Sequence, residues 1–156
     1  QFLEAVARIR GMWPLAAFTT DVIVGFPGET EAEFQETLDF CERVGFSRLH
    51  VFPFSPREGT PAAAMDGQVE EAVKTQRVHR LIALGDALSR RYREGFLGRE
   101  VPVLLEEALP DGGAEGYTPE YVHVRARDGR PGALARVRLD ALTEEGMSGT
   151  VVEYLP

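Results

Sequence analysis

Hydrophobic positions along this chain follow two rhythms. Up to about residue 95 they read as strands and helices in alternation, and beyond it they recur every second residue in short runs. Asp21-Val22-Ile23-Val24 closes a first strand over 16–24, and its unbroken β-branched run predicts burial on both faces. Gly25-Phe26-Pro27-Gly28 stops that strand with residues suited to a tight reversal. Thr30-Glu31-Ala32-Glu33 fits a capping box, with Thr30 as N-cap and Glu33 reaching back. Phe34, Leu38, Cys41 and Val44 then share one helical face, and Gly45 is placed to end the helix. Ser47–Phe54 reads as a second strand, parallel to the first across a right-handed crossover. Its stretch Leu49–Phe54 is nearly all apolar, which predicts cover on both faces; His50 within it is expected as a core or hydrogen-bonded residue.

The flanks follow the same logic. Phe2, Val6 and Ile9 predict a helix over Phe2–Arg10, ended by Gly11, with Trp13 packed in the loop that follows. Ser55–Met65 is a loop by composition. Glu70–Phe96 predicts one long helix, with Val78, Leu81, Ile82, Gly85, Leu88 and Tyr92 as its apolar stripe. Lys74, Arg77, Arg80, Arg90, Arg91 and Arg93 supply its charge, and the run at Arg90–Arg93 reads as a solvated helix end facing the helix dipole. After Arg99 come short antiparallel strands at Val101–Glu107, Tyr121–Ala126, Ala133–Leu139 and Gly149–Tyr154. The turn signals between them are 110–113, 128–132 and 144–146. Some 60 residues of this kind predict a small closed barrel like the oligonucleotide-binding barrels.

This order of elements locates candidate chemistry. Parallel α/β sheets bind ligands beyond the carboxyl ends of their strands, here Gly25–Thr30 and Ser55–Thr60. Both loops combine Gly, Pro, a hydroxyl and a charge, and ordinary turns share that composition. In the barrel, Tyr121, His123 and Arg125 alternate with Val122, Val124 and Ala126, and Arg136 and Arg138 alternate with Ala135, Val137 and Leu139. Aromatics interleaved with arginines suit stacked bases and phosphates; the solvent face of a barrel is polar as well.

Charge and cysteine content narrow the classes. The net charge of −8 opposes non-specific nucleic-acid binding by the chain as a whole. Its distribution is uneven: residues 1–73 hold 5 basic and 12 acidic side chains, 74–95 hold 6 and 2, and 96–156 hold 6 and 11. Residues 125–138 are locally basic, with Arg125, Arg127, Arg130, Arg136 and Arg138 against Asp128. The basic side chains are 16 arginines and one lysine, as phosphate recognition or a general preference for arginine would both give. The single cysteine, Cys41, lies on an apolar helix face and reads as core, so no disulfide scaffold is expected. No apolar run approaches the roughly 20 residues of a membrane helix. The chain opens inside a helix with Gln1 and reads as a piece of a longer protein.

TTDVIVGFPGETEAEFQETLDF followed by GFSRLHVFPFSPREGTPAAAM resembles the radical S-adenosylmethionine (SAM) methylthiotransferases, which place a methylthio group on tRNA or on a ribosomal protein. The last part resembles the TRAM domain, an RNA-binding module that follows the catalytic domain in that family. The resemblance implies an α/β plus all-β chain. Residues 1–66 would be the C-terminal part of a radical SAM α/β barrel, 67–95 a linker helix, and 96–156 a TRAM domain with an oligonucleotide-binding-like antiparallel β-barrel. It implies SAM and 4Fe–4S clusters as cofactors, with the cluster cysteines absent from this chain, and no metal ligand and no assigned catalytic residue within it. It implies SAM contacts from Val22, Val24, Gly25, Glu29, Phe52, Phe54, Ser55 and Arg57, and RNA contacts from Tyr117, Tyr121, Arg125, Arg136 and Arg138. Arg57 reads equally as a solvated surface residue. The implied partner is the anticodon stem-loop of a tRNA in the cytoplasm. Gly116–Ala126 looks most like the branch acting on threonylcarbamoyladenosine. The isopentenyladenosine branch stands second and the ribosomal-protein branch third. A non-catalytic RNA- or protein-binding module is the reading from another class.

Overall fold

In the computed structural model, residues 1–110 and 112–156 are described; Asp111, within the turn signal at 110–113, lies outside the described residues. The chain divides into two compact units, one of residues 1–7 and 18–89, the other of residues 8–17 and 90–156. Of the three divisions, one falls inside the first helix, α1 (Phe2–Met12), one just before the first strand, and one inside the last helix, α3 (Glu71–Glu94).

The first unit is built on a crossover. β1 (Thr19–Val24) leads to α2 (Glu31–Val44), and α2 to β2 (Arg48–Pro53), which pairs with β1 in parallel as predicted. The ends of α2 are set locally. The Glu33 N–H donates to the Thr30 hydroxyl, the Thr30 N–H donates to the Glu33 carboxylate at 2.8 Å, and Gly45 takes φ 64° at the other end. A buried cluster of Val6, Val24, Phe34, Cys41, Val44, Phe46 and Leu81 forms the core, with Val22, Leu49 and Val51 packed against it.

Several expectations change here. The sheet has two strands, and only one of its faces is covered; Ile23 and Phe52 remain 58% and 50% exposed. His50 is exposed rather than part of the core, because it shares that open face. An all-apolar strand signals two covered faces only when enough sheet and helix are present to cover them. Trp13 is exposed, and Ile82 points to solvent from α3. A short 3-10 turn, Pro61–Ala64, occupies the expected loop.

The second unit is a closed five-stranded barrel, with strand order β3-β4-β5-β7-β6. Its strands are β3 (Glu100–Ala108), β4 (Ala114–Tyr117), β5 (His123–Ala126), β6 (Ala133–Leu142) and β7 (Met147–Tyr154). Alternation fills the interior with Val101, Val103, Leu105, Ala114, Val124, Ala126, Ala135, Val137, Leu139 and Met147. Closure differs from the expected antiparallel plan: β5 and β7 pair in parallel. Ala114–Tyr117 is an additional strand, too short and polar to stand out. Tyr121 is outside any strand and adopts φ 61° in the turn before β5. Arg93, expected in solvent, is buried, and it donates to the Thr143, Glu144 and Gly146 carbonyls. Among the described residues no helix is long and apolar enough to cross a membrane.

Two predictions follow from these contacts. The Thr30 N–H and hydroxyl hold the Glu33 carboxyl below its usual range. A lowered carboxyl pKa stabilises the fold fully above the ordinary carboxylate value, and that contribution fades as pH falls through the folded value. Protection of the first-turn amides of α2, corrected for the intrinsic pH dependence of exchange, will therefore fall on acidification, and Thr30→Ala will lower it about fivefold at neutral pH and weaken the acid step while the residue-30 N–H still holds Glu33. In the barrel, a Cβ on Gly116 would lie 1.8 Å from the Leu104 carbonyl oxygen. Gly116→Ala will abolish the barrel's cooperative thermal transition, and a retained transition would show that β3 can shift at its bulge between Leu105 and Glu107.

Candidate cofactor face and nucleic-acid interface

The in-register pairing Asp21↔His50 and Ile23↔Phe52 defines the open face of the first unit. Side chains alternate across a strand, so Val22, Val24, Leu49 and Val51 turn toward the core while these four face outward. At the carboxyl ends of the strands, the Phe26 and Phe54 rings meet edge to face, with centroids 5.2 Å apart. The face is thus an apolar floor with a histidine, a carboxylate and two aromatic rings at its borders.

The turn beyond β1 is held by charge. The Gly25 N–H donates to Glu29 Oε2 at 2.6 Å, and the Arg77 guanidinium reaches the same oxygen at 2.6 Å. Arg77 also donates to the Glu29 carbonyl at 3.1 Å. Beyond β2, Lys74 Nζ donates to the Phe54 carbonyl at 3.1 Å, and the Phe54 N–H donates to the Val24 carbonyl. Gly25 has φ 75°, and a Cβ there would sit 2.3 Å from Lys74 Cγ, so both the conformation and the space require glycine.

These positions sort the candidate SAM residues. Phe52 lies on the open face and Phe54 is half-buried at its end, while Ser55 and Arg57 are exposed beyond it. Gly25 and Glu29 form the braced turn. The Val22 and Val24 side chains belong to the core, leaving only their backbone near the strand end. Lys74 and Arg77, which the sequence places among the charges of the long helix, are buried.

An apolar sheet face suits the adenine of SAM. An iron–sulfur cluster does not fit the residues present. It needs several cysteine thiolates, and the one cysteine is buried with its thiol pKa pushed up by burial. Among the described residues no group of three His, Cys, Asp or Glu side chains could hold a metal ion.

On the barrel, outward residues of four neighbouring strands line up. Leu134 pairs with Leu104, Leu104 with Tyr117, and Tyr117 with His123. Tyr117 lies 5.3 Å from the His123 ring and 6.1 Å from the Tyr121 ring. Tyr121 is 85% exposed. Its turn is fixed by hydrogen bonds from the Tyr121 N–H to the Thr118 carbonyl and from the Val122 N–H to the Thr118 hydroxyl. A cleft of about 100 Å³ beside this row is lined by Glu106, Glu107, Glu115, Gly116, Tyr117 and His123.

The three arginines assigned to RNA each face a carboxylate. Arg125 meets Glu115 at 2.8 Å, Arg136 meets Glu153 at 2.7 Å, and Arg138 meets Asp140 at 2.8 Å. Arg138, then the Thr150 hydroxyl, hold the Asp140 carboxyl below its usual range. Such exposed pairs are weak enough to exchange for phosphate. The aromatic row that joins Tyr117 to His123 and Leu104 was not visible as a unit in the sequence, because strand register creates it.

No protein-family model matches the chain. It is 44% identical, over 94% of its length, to the threonylcarbamoyladenosine tRNA methylthiotransferase MtaB of Thermotoga maritima, covering 34% of that protein. It is 43% identical over 88% of its length to the enzyme of the same name from Bacillus subtilis, covering 32% of it. It is 48% identical over 83% of its length to the tRNA-2-methylthio-N(6)-dimethylallyladenosine synthase of Frankia casuarinae, covering 24% of that protein. The chain therefore spans about a third or less of the length of these curated relatives, and across most of its own length it is similar to MtaB- and MiaB-type methylthiotransferases.

Proposed function

We propose that this chain is the C-terminal portion of a radical SAM tRNA methylthiotransferase. In this reading residues 1–66 end the SAM-binding α/β barrel, 67–95 link it to the tail, and 96–156 are the TRAM domain. The observation that carries the reading is the 44% match running through both units at once. The open face at Ile23 and Phe52 borders the SAM adenine, with the braced turns at Gly25 and Phe54–Ser55 at its edge. SAM bound there supplies the radical and methyl chemistry of the reaction, with clusters held elsewhere in the protein. This chain's residues bind and orient; they hold no cluster.

The substrate in this reading is threonylcarbamoyladenosine in tRNA, as named for the two MtaB relatives, at its place beside the anticodon. Dimethylallyladenosine, also called isopentenyladenosine, is the second reading, favoured by the 48% match to the Frankia enzyme. Mass spectrometry of tRNA nucleosides from a deletion strain separates the two. Loss of the methylthio form of threonylcarbamoyladenosine, restored by the full-length enzyme, is the expected result. Loss of the methylthio dimethylallyl nucleoside instead would select the second reading, and loss of neither would remove both.

The barrel row receives unpaired bases, with Tyr117 and Tyr121 as stacking rings and Arg125, Arg136 and Arg138 exchanging carboxylate for phosphate. In the full-length enzyme, Tyr117→Ala with Tyr121→Ala will weaken binding of an anticodon stem-loop by about 10- to 100-fold. Removing the three arginines together will flatten the salt dependence of that binding by up to three ions. If both variants bind with wild-type affinity and salt slope, the interface lies elsewhere. Competition by a ribosomal-protein peptide would instead point to the acidic cleft as a protein-binding site.

A further inference from the structure

The two most buried cations of the first unit hold loops at the candidate cofactor end. Arg77 is 4% exposed and Lys74 7%. Buried ion pairs are weak contributors to stability, and well-packed apolar residues of similar volume often serve as well or better. Stability alone therefore does not explain two cations at this place.

Their targets do. Lys74 and Arg77 lie three residues apart on α3, so they project from one side of the helix. Lys74 donates to the Phe54 carbonyl at the end of β2, and its stem packs where a Gly25 side chain would be. Arg77 holds the Glu29 carbonyl and carboxylate, and that carboxylate accepts the Gly25 N–H after β1. Arg77 Nε is buried without a hydrogen-bond partner, 3.6 Å from Glu31. The guanidinium is aimed at Glu29 even though that leaves one of its own donors unsatisfied. A third tie joins the Gly28 N–H to the Gly67 carbonyl at 2.8 Å, from the segment leading into α3. Position 74 also holds the one lysine in a chain with 16 arginines. A compact ammonium on a flexible stem fits a slot against Gly25 that a planar guanidinium would overfill.

We infer that Lys74 and Arg77 are positioning residues that lock the loops after β1 and β2 into a single body at the ligand-facing strand ends. The inference deepens the cofactor reading above and rests on it for the identity of the ligand. Neither side chain needs to touch that ligand: the braced backbone at Gly25 and Phe54 is what they set.

The test uses the full-length enzyme with Lys74→Met, Lys74→Arg and Arg77→Lys, and with Val44→Ala as a core control. Hydrogen exchange is read at the Gly25 and Phe54 amides, with Val22 and Val51 as references in the same strands, and SAM affinity is measured alongside. Each of the three variants should speed exchange at both loop amides by about tenfold or more relative to the references. Each should weaken SAM by about tenfold. Val44→Ala should lower Tm without singling out the loops. Unchanged exchange at Gly25 and Phe54, or a rise shared equally by Val22 and Val51, would overturn the inference. So would loosened loops with unaltered SAM affinity. Selective loosening in an enzyme whose wild type binds no SAM would keep the locked loops and reject the cofactor reading.

Discussion

One carboxylate oxygen organises the end of the first unit. Glu29 Oε2 accepts from the Gly25 N–H and from Arg77, which ties a strand end, a turn and a helix to a single point. The geometry works because Gly25 can take a positive φ and because nothing larger than hydrogen occupies the space beside Lys74. The capping box at Thr30 follows at once and starts α2 in the direction that returns the chain for β2. Phe34 then lies under both Arg77 and Arg80, with the guanidinium carbons 5.4 Å and 4.8 Å from its ring centroid. Arg77, which braces the turn, is thus packed on the core as well as paired.

A two-stranded parallel sheet is an unusual end state, because parallel sheets normally have helices or further strands on both faces. Here one face has its helical cover and the other presents Ile23, Phe52 and His50. Such a face is expected of strands that complete a larger sheet, and it places apolar surface where α/β proteins bind ligands. The barrel solves the edge problem differently, by closing on itself through the parallel pairing of β5 with β7. Its outer surface is then free to carry rings and paired charges without exposing unpaired backbone.

Much of this was legible where the determinants are local. The start and stop of α2 were readable from Thr30, Glu33 and Gly45, because caps act within a few residues. The parallel pairing of β1 with β2 followed from one crossover. What could not be read depends on partners distant in sequence. Asp21-Val22-Ile23-Val24 carries no polar alternation after its first residue, so nothing in it marks Ile23 as outward and Val24 as inward. Lys74, Arg77 and Arg93 look like ordinary helix charges until their carbonyl and carboxylate partners are in place. β4 is four residues long and includes a glycine, too little for a pattern. The site residues divide the same way. Glu29 and Gly25 were visible as a turn, and Tyr117 and Tyr121 as aromatics. The row from Leu134 to His123 exists only through the register of four strands.

What covers the open face of β1 and β2 decides whether that face holds the cofactor. The most direct measurement is a crystal structure of the full-length protein with S-adenosylhomocysteine bound. The adenine ring is expected against Ile23 and Phe52, with the Arg77–Glu29–Gly25 bonds intact beneath the neighbouring turn. Adenine bound elsewhere, with Ile23 and Phe52 packed against other protein side chains, would contradict that placement.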